Sequence, residues 1–401
     1  RRRTMPAANF DVSDLSEEHA LRATVARPLT ELCLEVVAAN FRCRPTLRGV
    51  PAQQVGLLSE LLPTDLPLEV TAPLIDREEY WQRCALARWD NCVLTDHGCS
   101  WKRLYFERHL AGFLEAVGPF TEAAEVQRAL ATCKEYVFTL NIGQVLAPLD
   151  LEQLVRSLPS LGSLKLTYAV KHIGMAYEKK AFGMKLSDAS SLANALRMSE
   201  TLSVLALPCS LLDDASVRAI AGGLAENCTL TSLDLSHNKI ADRGAKALAK
   251  LLGESVLISL NLCDNRIHSD GGKYLGRALH ANVSLRHLNL RLNRLGDEGG
   301  QRLIEGARKH AALTSLNLSC NALEEGAARA AAALLSGPSA LHTLDLSANQ
   351  LSEEAGRALH ESMRGNSTVR TLDLRQNSLV ADEALVFIEG QCQRNRQAAG
   401  G

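Results

Sequence analysis

The chain has 401 residues, enough for two domains with separate cores. It carries 44 Lys and Arg against 45 Asp and Glu, and a net charge of −1 removes the broad electrostatic pull behind non-specific nucleic-acid or anionic-membrane binding. Hydrophobic residues make up 46% and aromatics only 4%, so the core must be aliphatic, and no run approaches the roughly 18 apolar residues that span a bilayer. Neither nucleic acid nor membrane is therefore expected as a partner. Eleven cysteines, scattered from Cys33 to Cys392, suit free thiols in a reducing cytoplasm better than a disulfide framework.

Residues 1–26 read as a solvated tail that opens on Arg1, Arg2 and Arg3. Residues 27–135 read as an α-helical N-terminal domain without repeats. Leu29, Leu32, Leu34, Val36 and Val37 form one apolar run, and Val55, Leu57, Leu58, Leu61 and Leu62 form another. Pro45, Pro51, Pro63, Pro67 and Pro73 punctuate the helices. Trp81, Trp89 and Trp101 are expected to supply the core of this domain.

Residues 136–396 read as a repeat array. The pattern L-x-x-L-x-L-x-x-N-x-L runs through Leu230–Ile240, Leu257–Ile267, Leu285–Leu295, Leu313–Leu323, Leu341–Leu351 and Val369–Leu379. Its asparagines are Asn238, Asn265, Asn293, Asn321, Asn349 and Asn377, spaced by 27 residues once and then by 28. An earlier copy, Leu202–Leu212, holds Ser210 at the asparagine position and is expected to be less regular. Leu233 and Leu235 alternate, so both face one side of a short strand, where equivalent leucines of successive turns stack. A buried asparagine amide can satisfy backbone groups of adjacent turns that would otherwise be orphaned.

Helical spacing follows each strand. Small residues lie seven positions after each asparagine, at Ala245, Gly272, Gly300, Ala328, Gly356 and Ala384, and are expected to let the helix approach the strand layer. Asp242, Asp270 and Asp297 fall near helix starts, where acidic residues cap and complement the dipole. The fold class is therefore α/β, a leucine-rich-repeat solenoid of the ribonuclease-inhibitor type with 28-residue repeats, strands on the concave side and helices on the convex side. Weaker copies begin at Leu161 and at Val137–Ile142, the latter followed by a helix over Leu149–Leu158. About 13 extra residues fall around Val170–Met184. Asp382–Arg396 reads as a closing helix and 397–401 as a tail.

Several N-terminal motifs carry a resemblance. They are Pro28-Leu-Thr-Glu-Leu-Cys33, Asp65-Leu-Pro-Leu-Glu-Val-Thr71, Leu74-Ile-Asp76, Tyr80-Trp-Gln-Arg-Cys84 and Gly98-Cys-Ser-Trp-Lys-Arg-Leu-Tyr-Phe-Glu-Arg-His-Leu110. With Tyr168–Lys171, Gly174-Met175, Leu288–Asn293 and Asp297–Gln301 in the array, they resemble the leucine-rich-repeat subunit family of the nexin–dynein regulatory complex, the t-complex-associated testis-expressed protein 1 family. That resemblance implies a protein of the cytoskeleton, in the axoneme of motile cilia and flagella. It also implies other regulatory-complex subunits as partners, with dynein arms and doublet microtubules as further candidates.

No catalytic constellation stands out. No G-x-x-x-x-G-K-[ST] loop occurs. Cys92, His97 and Cys99 have irregular gaps and lack a completing pair, so no metal and no cofactor are expected. His237 and His287 fall at outward-facing positions, and Cys263 and Cys320 have no paired base. The concave face is the expected binding surface. Its central row is Asp234, Asn261, Asn289, Asn317, Asp345 and Asp373, a column where such repeats commonly carry Asp or Asn, so it is read either as structural or as a polar binding stripe. In the next column Arg291 and Arg375 interrupt small residues and are expected to meet an acidic partner, with Leu292 as an exposed apolar contact.

The sequence thus reads as a non-catalytic scaffold. The alternatives are a Ran-type GTPase-activating protein, which the acid-free tail Gln391–Gly401 disfavours, and an inhibitor or immune-sensor array, which would normally add a nucleotide-binding domain.

Overall fold

The computed structural model describes residues 28–118, 120–169, 182–377 and 380–400. The tail 1–26, most of the extra residues expected at 170–184, and Leu379 of the last repeat lie outside them. The chain divides into two compact units between Val93 and Leu94.

The first unit contains helices α1 (Leu29–Asn40), α2 (Ala52–Leu61), α3 (Leu68–Leu74) and α4 (Glu78–Leu86). Pro28, Pro51 and Pro67 each stand immediately before a helix, where the missing N–H costs nothing. Trp81 is fully buried with Phe41, Leu58 and Leu62, and its Nε1 donates to the Ile75 carbonyl at 2.9 Å. The expected tryptophan core therefore holds for Trp81. Trp89 is only half-buried, and Trp101 begins a helix of the second unit.

In the second unit, α5 (Trp101–Ala116) and α6 (Ala123–Cys133) precede nine parallel strands paired in sequential order. The strands are β1 (Thr139–Ile142), β2 (Ser163–Leu166), β3 (Val204–Ala206), β4 (Ser232–Asp234), β5 (Ser259–Asn261), β6 (His287–Asn289), β7 (Ser315–Asn317), β8 (Thr343–Asp345) and β9 (Thr371–Asp373). Helices alternate with them: α7 (Leu151–Ser157), α8 (Leu186–Met198), α9 (Asp214–Leu224), α10 (Asp242–Glu254), α11 (Ser269–Ala281), α12 (Gly296–Ala307), α13 (Glu325–Leu335), α14 (Glu353–Met363) and α15 (Asp382–Gly400). Leu260, Leu288 and Leu316 are register partners on adjacent rungs and are buried. Each such leucine contributes about 1.5–3 kcal/mol of apolar burial.

The asparagine ladder forms as the repeat demands. Asn265 Nδ2 donates to the Leu262 carbonyl of its own turn at 3.1 Å and to Leu235 of the preceding turn at 3.0 Å. Its Oδ1 accepts from the Ile240 N–H at 3.1 Å. Asn238, Asn293, Asn321, Asn349 and Asn377 repeat the arrangement and are all buried. Ser210 does part of this work, accepting from the Tyr168 N–H at 3.1 Å, and β3 keeps full register with β4.

A second ladder closes the helix-to-strand turns. Asn227 Oδ1 accepts from the N–H groups of Thr229 and Leu230, and its Nδ2 donates to the Leu196 carbonyl of the preceding turn. Asn282 and Asn366 do the same, and His310 fills the first of the two places between them. The column breaks at Pro338 and at Ser255, whose buried Oγ has no hydrogen-bond partner among the described residues.

Two sequence expectations change in detail. Asp242 and Asp297 do cap helices, but the next ones along. Asp242 Oδ1 accepts from the N–H groups of His268 and Gly271 at 2.8 and 2.9 Å, and Asp297 accepts from Glu324, Gly326 and Ala327. Asp270 stands one place out of this column and instead meets Lys273 Nζ at 3.3 Å. The small-residue column also serves helix–helix contact. A Cβ on Gly272 would lie 2.8 Å from the Gly299 carbonyl oxygen of the neighbouring helix, whereas one on Gly300 would meet Leu323 and Ala327 side chains.

The expected boundary near 135 differs from the observed division because α5 seals the first strand. Glu107, 2% exposed, accepts from the Phe138 and Thr139 N–H groups at 2.9 and 2.8 Å, and Glu115 accepts from Gly143 at 2.6 Å. These carboxylates satisfy backbone donors at the open edge of the sheet, so the helix belongs with the array. Arg103 and His97 complete the partners of Glu107. At the other end α15 extends through the expected tail to Gly400.

Candidate binding surface

The solvent-facing columns of the sheet begin with the central residue of each L-x-L. Asp234, Asn261, Asn289, Asn317, Asp345 and Asp373 all accept, through Oδ1, the backbone N–H two residues on, at 2.9–3.1 Å. The side chain thus shapes the turn that leaves the strand, which accounts for the Asp/Asn restriction of this column without a partner.

Free capacity differs along the row. Asp345 Oδ2 accepts from Asn317 Nδ2 at 2.9 Å. Both oxygens of Asp373 face Arg375, which donates from Nε at 3.0 and 3.1 Å and from a terminal nitrogen at 2.5 Å. The guanidinium holds the Asp373 carboxyl below the usual carboxylate range. Asp234 keeps Oδ2 free of any hydrogen bond to the described residues.

Arg291 and Arg375 are not brought together. They leave strands β6 and β9, three rungs or about 14 Å apart at ordinary strand spacing. Arg375 already has its acidic partner within the chain. Arg291 is exposed, and its guanidinium has no ion-pair or hydrogen-bond partner among the described residues. It lies near Cys263, whose thiol burial pushes up and Arg291 draws back down.

Leu292 is 41% exposed and sits at φ +56°. The same left-handed turn position is occupied by His237, Asp264, Cys320, Ala348 and Gln376. A leucine there meets the Cβ penalty of left-handed backbone and also displays an apolar side chain to water. Strain and exposure at one residue make it a candidate contact.

Sequence inspection missed the cations around it. Lys239, Arg266 and Arg294 follow the ladder asparagines in three consecutive turns and are exposed. Their N–H groups bond to Leu212, Ile240 and Ile267 carbonyls at 2.8–2.9 Å, so the rung spacing continues through the turns. None has an ion-pair partner among the described residues, whereas His237 and Asp264 are paired with each other at 2.9 Å. The signal was available as a repeated position, one residue after each asparagine. The result is a cationic patch of Arg266, Arg291 and Arg294 around Leu292. As for metal binding, the described residues hold no group of three or more His, Cys, Asp or Glu side chains placed to bind an ion, and His97 is paired with Glu107.

Comparisons agree with this architecture. A family model described as Leucine Rich repeat matches residues 226–249 and 281–303. Dynein regulatory complex subunit 5 of Chlamydomonas reinhardtii is 44% identical over 193 residues, 48% of this chain and 50% of that protein. The Macaca fascicularis protein of the same name is 37% identical over 279 residues, 62% of this chain and 56% of that one. The chain thus spans about half the length of the curated relatives it matches, and the resemblance carried by the N-terminal motifs is borne out. Among solved structures, an internalin from Listeria monocytogenes is similar with a TM-score of 0.39 at 18% identity, covering 65% of this chain and 67% of that one.

Proposed function

We propose that this leucine-rich-repeat solenoid is a non-catalytic scaffold subunit of the dynein regulatory complex in the axoneme of motile cilia and flagella. It binds other subunits of that complex and so helps regulate dynein-driven motility. The observation that carries this reading is the similarity to dynein regulatory complex subunit 5 proteins over about half of the chain or more.

The patch around Leu292 is the docking site this reading favours. A strand layer fixed by two amide ladders presents it without an ordering cost, which favours affinity. A partner with an apolar side chain flanked by carboxylates would meet Leu292, Arg291 and Arg294 together. Dynein arms and doublet microtubules are further candidate contacts. The test is to express the tagged chain in ciliated cells, image it and isolate its bound proteins. Axonemal signal with co-isolation of regulatory-complex subunits is expected, and a diffuse protein without those subunits overturns the proposal.

A further inference from the structure

A groove of about 670 Å3 runs along the helical layer, lined by residues of α9 and α10. Gly222, Ala225 and Ala247 lie along it, with Arg218, Arg243, Lys246 and Lys250 around them and Glu254 as the one acid.

None of the four cations has an ion-pair partner among the described residues. All are exposed. Arg218, Arg243 and Lys250 have no ion-pair or hydrogen-bond partner among the described residues, and Lys246 Nζ lies 5.3 Å from the centre of the Tyr274 ring. Arg243, Lys246 and Lys250 share one helix face at three- and four-residue spacing, an arrangement that costs the free protein stability through repulsion.

Gly222 gives a second, independent sign. A Cβ on Gly223 would lie 2.3 Å from the Ala193 carbonyl oxygen, so packing requires that glycine. A Cβ on Gly222 would meet nothing within 4 Å. The free protein therefore gains nothing from a glycine in the last turn of α9, where it is a poor helix former. An approaching backbone would use the space.

The groove between α11 and α12 shows the contrast. It is larger, about 910 Å3, but Lys273 meets Glu298 at 3.0 Å and Arg302 meets Glu305 at 3.0 Å. Two of its five cations, Lys273 and Arg302, are matched internally, whereas none of the four in the α9–α10 groove has an ion-pair partner among the described residues.

We propose that the α9–α10 groove docks an acidic amphipathic segment of a partner protein. Its apolar side chains lie on the Gly222, Ala225 and Ala247 floor, and its carboxylates face Arg218, Arg243, Lys246 and Lys250. This surface is separate from the Leu292 patch, so it stands whether or not that patch is a docking site.

The test uses the full chain and a fluorescein-labelled peptide with Glu and Leu at amphipathic helical spacing, followed by fluorescence anisotropy. Saturable binding that weakens steeply with salt is expected. The double variant Arg243→Glu/Lys246→Glu should weaken binding by about tenfold or more. Gly222→Leu should weaken it by about tenfold without lowering the thermal midpoint, because leucine is the better helix former. Three results would overturn the proposal: no saturable binding, equal binding of the same peptide with Lys in place of Glu, or unchanged binding by both variants. Binding to phosphatidylserine vesicles without binding to the peptide would overturn it as well.

Discussion

Asp242 caps Gly271: the carboxylate in the first turn of one helix accepts, at 2.9 Å, an N–H in the first turn of the next. The link ties neighbouring turns through their outer layer as the asparagines tie them through the inner one. The cap residue of that next helix, His268, offers no side-chain cap of its own. Asp242→Ala should therefore destabilise the array by about 1–2 kcal/mol, the ordinary cost of a lost N-cap. Asp270→Ala, outside this column, should cost less than about 0.5 kcal/mol. Chemical denaturation of both variants measures the difference, and equal losses would contradict the cross-turn cap.

Ser255 breaks the second amide ladder and buries an unpartnered hydroxyl. Ser255→Asn should let the amide bridge to the preceding turn as Asn227 and Asn282 do, raising stability by about 1 kcal/mol. A lower denaturation midpoint would contradict the ladder's assignment.

His310 gives the array a pH dependence. It is buried, its Nδ1 accepts from Ala312 and Leu313 N–H groups at 3.1 and 3.0 Å, and burial lowers its pKa from 6.5. The folded protein therefore holds the neutral ring while the unfolded chain takes up a proton. The contribution is complete above pH about 6.5 and is lost as pH falls from there toward the folded pKa, at up to about 1.4 kcal/mol per pH unit. His310→Asn should flatten stability between pH 6.5 and 5 in urea titrations. The lowered carboxyls of Asp213 and Asp373 act further down, where stability is lost as pH falls below about 3.8.

Much of the fold was legible because its determinants recur once per turn. Leu233 and Leu235, Asn238 and their equivalents each repeat at a fixed spacing, and the stacked strands follow. The second ladder was harder to see because Ser255, His310 and Pro338 interrupt Asn227, Asn282 and Asn366. The function of Glu107 was not legible, since its partners Phe138 and Thr139 lie some thirty residues on and depend on how α5 meets β1. At the candidate site, the exposure of Arg291 and Leu292 followed from column position. The closure of Arg375 onto Asp373 did not, because both interacting and open geometries are available two residues apart. The Asp/Asn row proved to cap its own turns, a role visible only as hydrogen bonds.

In the proposed docking site, Leu292 joins stability to binding. Leu292→Asn places a residue that tolerates left-handed backbone at φ +56°, and stability should rise by about 0.5–1 kcal/mol. Affinity for the complex partners should fall at the same time, because the apolar contact is lost. A gain of stability with unchanged binding would mark Leu292 as strain without use.

The most direct measurement is quantitative co-isolation of regulatory-complex subunits by the wild-type chain, by Arg291→Glu/Leu292→Asp and by Arg375→Glu, each matched for thermal midpoint. The double variant should lose about tenfold or more of the captured subunits, while Arg375→Glu, already spent on Asp373, should lose little. Full capture by the double variant would contradict docking through the sheet face.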